Sequence, residues 1–144
     1  MADDGVTAAD QSFGMAATID ARILGVAARS AGVCTRAELV AVGVPTRTIT
    51  ARVAAGALAR IGPGLYEVPA LVTADTPLFR AARAHPDGAI SHRTAARLWG
   101  FALPPPAIDE PVEVTVPRPG GSRPRVPGVR VHATRRWSPA DWPR

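Results

Sequence analysis

The chain has 144 residues, a length that suits one ordinary domain or two small ones. Its longest stretch without a charged residue, Leu98–Ile108, is interrupted by three prolines and falls short of the roughly 18 apolar residues that a bilayer span needs, so no transmembrane helix is expected. The charge of +5 is unevenly placed: residues 1–20 hold Asp3, Asp4, Asp10 and Asp20 and no base, and beyond them 17 arginines face eight acids, with no lysine anywhere.

That imbalance fits a polyanionic partner and, equally, a solvated basic surface. Two windows lack acids entirely: Arg47, Arg52 and Arg60 fall in the one between Glu38 and Glu67, and Arg118, Arg123, Arg125, Arg130, Arg135 and Arg136 in the one between Glu113 and Asp141. Apolar residues make up 47% and aromatics 5%, which predicts a thin, helix-rich core. The acidic start does not read as a secretory signal. The single cysteine, Cys34, cannot form an internal disulfide, and a cytoplasmic location is expected.

In chain order, residues 1–17 are small, polar and acidic and are expected to be a disordered tail. An apolar stripe of Ile19, Ile23, Leu24, Ala27 and Ala31 predicts a helix from about Ile19 to Ala31, closed by Gly32, with Arg22 and Arg29 on its outer face. Val33 and Cys34 read as a short extended link. Thr35 and Glu38 form a capping box that opens a two-turn helix ending at Gly43. Val44 and Pro45 make the turn. Thr46 is expected to cap a third helix that runs to about Ala55 and stops at Gly56.

On that third helix Ile49 and Val53 point inward, while Arg47, Thr48 and Ala51 lie outward with Thr50 and Arg52 at the flanks. Fork donors and hydroxyls near the start and small residues in the middle are what a helix entering the major groove requires. A ribbon follows, with Leu58, Ile61, Leu65 and Val68 buried, Arg60 and Tyr66 projecting, and Gly62-Pro63-Gly64 at the tip. Farther on, Thr76 is expected to cap a helix to about Ala84 that buries Leu78, Phe79 and Ala82 and leaves Arg80 and Arg83 outside. Ser91 caps another helix ending at Gly100. Ten of the 15 prolines lie from Pro104 onward, where Val112–Val116 alternates as a strand and Val129–His132 can pair with it.

The stretch GVCTRAELVAVGVPTRTITARVAAGALARIGPGLYEVP, followed by AISHRTAARLWGF and then VEVTVPR with GVRVH, resembles the bacterial AbiEi-type antitoxins of type IV toxin–antitoxin systems and related actinobacterial proteins. The resemblance implies an N-terminal winged-helix domain that represses its own operon, with a nucleotidyltransferase-like toxin as partner. Similar actinobacterial chains continue into a Vsr-like endonuclease domain, and against them this chain reads as shortened.

Catalytic patterns are sparse. His85, His92 and His132 are far apart in sequence, and without Cys/His spacing neither a zinc site nor any other metal or cofactor is expected. Asp109, Glu110 and Glu113 precede a strand, but Thr115 stands where a nuclease of the expected type would carry lysine, so Asp109 and Glu110 read as loop solvation. Arg123-Pro124-Arg125 lies in a cationic connection suited to non-specific phosphate attraction.

The expected architecture is α+β: a winged helix-turn-helix over 18–70, then a small, incomplete α/β region over 71–144. The expected function is a non-enzymatic, sequence-specific repressor of antitoxin type that binds double-stranded DNA and autoregulates a toxin–antitoxin operon. Arg47 and Thr48 would read bases, Ala51 would pack against them, Thr46 would cap the reading helix, and Arg36, Arg52 and Arg60 would contact phosphates. A homodimer is compatible with this role and a membrane partner is not expected. Two alternatives remain open: a toxin-binding module with a vestigial DNA-binding domain, and a remnant of a Vsr-like endonuclease protein.

Overall fold

The computed structural model describes residues 8–117 and 123–136, with side chains from residue 18 onward. The tail at 1–7, Arg118 and residues 137–144 therefore lie outside the described residues. Helix α1 spans Ala8–Ala28, so its backbone is helical well before the expected start near Ile19 and through much of the predicted disordered tail. The alanines of that stretch favour helix even without an apolar stripe. The helix also ends before Ala31. Gly32 donates to the Ala27 carbonyl at 2.9 Å, and Ala31 and Gly32 both have positive φ. A Cβ at Gly32 would stand 3.1 Å from the Val68 and Leu71 backbone, so this turn admits only glycine without a shift.

Then follow β1 (Val33–Thr35), α2 (Arg36–Ala41), α3 (Thr46–Ala54), β2 (Ala59–Gly62) and β3 (Leu65–Glu67). The expected link at Val33–Cys34 is thus a strand. It pairs antiparallel with β3, which pairs antiparallel with β2, giving sheet A in the order β1-β3-β2. One face of sheet A carries Cys34 and Tyr66 into the core formed with Ile23, Val26, Ala27, Leu39, Val44 and Ile49 of the helical layer. The other face carries Val33 and Leu65 against Phe79 and Val126.

This second layer explains two differences from expectation. Tyr66 is buried rather than projecting, because β3 is the central strand and both its faces are covered. The covering element is α4 (Thr76–Ala84), which buries Ala81 rather than Ala82 and turns Arg80 and Arg83 inward. Arg80 forms a fork on the buried Glu67 at 2.7 and 2.9 Å. Arg83 pairs with Glu38 and donates to Ser30 Oγ at 2.6 Å. Thr76 is the first residue of α4 rather than its cap, and its buried hydroxyl donates to the Ala31 carbonyl at 2.7 Å.

Helix α4 also touches the second sheet, sheet B, built from β4 (Ala89–Ile90), β5 (Val112–Pro117) and β6 (Val129–Thr134) in the order β4-β5-β6. The expected pairing of the last two strands occurs, and it is parallel, with Val112 opposite Val129. Helix α5 (His92–Leu98) lies on β5. Its N-cap residue Ser91 makes no side-chain cap; Glu113 Oε2 instead accepts from the Arg93 N–H at 3.0 Å. Glu110 is not loop solvation, since it pairs with both Arg93 and Arg97, whereas Asp109 is exposed. The distant histidines are also not all separate: the rings of His92 and His132 lie 4.0 Å apart between centroids.

Candidate nucleic-acid interface

The interface is assembled from local signals that pack as units. At the start of α2, Thr35 Oγ1 accepts from the Glu38 N–H at 3.2 Å, and Glu38 Oε2 accepts from the Thr35 N–H at 2.9 Å, so the predicted capping box is present. Burial pushes the Glu38 carboxyl up, but the Thr35 N–H and hydroxyl, with Arg83 behind them, bring it below the usual carboxylate range. Neighbouring Cys34 is fully buried. Burial and the Glu38 charge push its thiol up to about 11 against the opposing pull of Arg83, which makes it an inert core residue.

The turn between α2 and α3 is braced from α1. Arg22 donates to the Val42 carbonyl at 3.3 Å and passes close to Gly43. A basic outer face on α1 did not reveal this role, because it depends on the packing of two helices. At α3 the N-cap residue is Pro45, not Thr46; proline's fixed φ suits that position, and its carbonyl accepts from the Thr48 and Ile49 N–H groups at 2.9 and 3.1 Å. Thr46 is exposed on the first turn, which has neither a side-chain cap nor an acid.

Along α3, Arg47, Thr50 and Ala51 are exposed, Thr48 is half-buried and Ile49 is buried. The Arg47 guanidinium has no hydrogen-bond or ion-pair partner among the described residues. Thr50 turns its hydroxyl back to the Thr46 carbonyl at 3.3 Å. Arg52 is held differently: its Nε and Nη2 form a fork on Asp20 of α1 at 2.7 and 3.0 Å. The ribbon tip folds back toward α2, with the Arg36 N–H donating to the Gly64 carbonyl at 2.8 Å. Arg60 is exposed on β2, just before a bulge in its pairing with β3.

Seven residues were expected to form the site. Arg36 and Thr46 line one groove of about 780 Å³ with Val40, Gly62, Pro63 and Gly64. Arg47, Thr48 and Ala51 sit on the same helix as Thr46, and Arg60 stands on the ribbon. Arg52 is drawn to the α1 side.

The electrostatics follow from pairing. Residues 18–70 contain three acids, and each is already matched: Asp20 by Arg52, Glu38 by Arg83 and Glu67 by Arg80. Arg22, Arg29, Arg36, Arg47 and Arg60 are left without an acidic partner among the described residues. The surface of this part is therefore more cationic than its composition suggests, because α4 supplies two of the neutralising arginines.

Residues 21–69 match the family model described as "Transcriptional regulator, AbiEi antitoxin", in agreement with the resemblance read from the sequence. No curated protein matches the chain.

Proposed function

We propose that residues 18–70 are a winged helix-turn-helix that binds double-stranded DNA, and that the protein is a non-enzymatic transcriptional repressor of antitoxin type acting on its own operon in the cytoplasm. The observation that carries this reading is the unpartnered Arg47 on the open first turn of α3, in a segment whose three acids are all neutralised, one by its own Arg52 and two by arginines of α4. The element order from α1 to β3, with sheet order β1-β3-β2, supports the winged arrangement. The family match supports transcriptional regulation over the same residues.

In this reading α3 enters the major groove. Arg47 forms a fork on a base edge, Thr48 assists it, and Ala51 permits close approach. Arg36 and Arg60 contact phosphates on either side. Arg52 acts chiefly by tying α3 to α1 and so fixing the angle of the reading helix. Arg47→Ala is expected to cost about 1–3 kcal/mol on operator DNA and to reduce preference over random DNA, whereas Arg60→Ala weakens both alike. Fluorescence anisotropy on the DNA upstream of the gene, with a scrambled duplex as reference, measures the difference. Parallel losses in both variants would defeat the assignment.

A second reading, in which the region after residue 70 engages a toxin, is favoured by one observation. Leu98, Trp99 and Phe101 at the end of α5, and Ile108 in the loop that follows, are exposed large apolar side chains, with Trp99 82% accessible. A Trp99→Ser/Phe101→Ser double variant should lose capture of a toxin encoded in the same operon while keeping DNA affinity. Undiminished capture in a pull-down with the purified toxin counts against this face.

A further inference from the structure

Sheet B brings together three side chains that the DNA-binding reading leaves unused. The parallel register sets Thr115 opposite His132 and Glu113 opposite Arg130, and α5 begins beside β5. His92, Glu113 and His132 therefore converge from three elements, each offering a ligand atom within 4.8 Å of the others. His132 Nε2 lies 3.1 Å from Glu113 Oε1. His92 is held at φ 50, a left-handed conformation that is unfavourable for a residue with a Cβ.

The surroundings fix the carboxylate. Glu113 is buried, and its second oxygen accepts from the Arg93 N–H at 3.0 Å. Ser91 Oγ lies 2.9 Å from His92 Nδ1. When Nδ1 donates to that oxygen, Nε2 presents its lone pair, the arrangement in which ligating histidines are commonly held.

We propose that His92, Glu113 and His132 form a binding site for one divalent cation of the zinc class, clamping α5 to β5 and β6. Two imidazole nitrogens and one carboxylate oxygen suit Zn²⁺ better than Mg²⁺ or Ca²⁺, which take oxygen ligands. Three protein ligands leave a position for water. Bonds of about 2.0–2.2 Å require the three atoms to draw closer, and His92 is the most exposed of the three residues. Arg130, 4.0 Å from Glu113 Oε1, opposes the cation, and its side chain is exposed enough to swing away.

Titration of the tag-free full chain with ZnCl₂ by calorimetry, in a non-chelating buffer near neutral pH, tests the site. One saturable equivalent is expected, together with a rise in melting temperature. His92→Ala and His132→Ala should each weaken binding roughly tenfold or more with circular dichroism unchanged, and Arg130→Ser should tighten it. If His132→Ala disturbs the fold, the exposed His92→Ala decides, read also by loss of the visible absorption of bound Co²⁺. Absence of saturable binding, or affinity retained in His92→Ala, overturns the proposal.

Discussion

His85 ends α4 with its ring 1% exposed and with neither ring nitrogen bonded. Burial, aided by Arg123 and opposed by Asp87, lowers its pKa, so the folded chain holds the neutral form. The unfolded chain binds a proton more readily, and stability is therefore lost as pH falls below the ordinary imidazole value of about 6.5. Urea midpoints should decline from about pH 7.5 to about pH 5, above the window in which Glu38 is protonated and contributes its own loss. His85→Leu should flatten that decline and leave no unsatisfied nitrogen behind. An unchanged decline in this variant would show that another group is responsible.

Among the elements, those that were legible in the sequence rest on contacts between near neighbours. The capping box at Thr35 and Glu38 spans three residues, and the Gly-Pro-Gly tip and the Gly43 and Gly56 stops are read in place. What was hidden depends on a second layer. Nothing near Tyr66 shows that β3 is covered on both faces, and nothing near Arg80 or Arg83 shows that acids lie 13 and 45 residues earlier. His92 and His132 likewise meet only because β5 and β6 pair in parallel. The cap at α3 was misplaced for a local reason, since proline and threonine compete for adjacent positions and proline's fixed φ took the N-cap. The Arg80–Glu67 fork is the strongest test of the hidden layer, with both side chains largely buried at 19% and 9% exposure. Glu67→Gln should destabilise the fold by about 3 kcal/mol in urea, because the arginine charge is left unmatched. Replacing both, as Glu67→Leu with Arg80→Met, should recover most of that loss. A double variant as unstable as the single one would mean that the fork does more than satisfy itself.

At the scale of the whole molecule, α4 is the shared member: it covers sheet A, contacts all three strands of sheet B, and supplies the arginines that neutralise Glu38 and Glu67. Cutting the chain at residue 70 would therefore remove a structural layer and expose two unmatched acids near the cationic surface. Residues 18–70 and the region after them are electrostatically one object, even though the family match ends at residue 69.

The fork between Arg52 and Asp20 sets how the complex would respond to salt. A guanidinium already matched by a carboxylate adds little to the neutralisation of phosphates, so it displaces few condensed ions from the duplex. With Arg36 and Arg60 as the remaining phosphate contacts, the logarithm of affinity should fall against the logarithm of salt concentration with a slope of about −1.8. Asp20→Asn frees Arg52 and should steepen that slope by about one. A slope that does not change in Asp20→Asn would place Arg52 away from the duplex altogether, leaving it solely as the tether between α3 and α1.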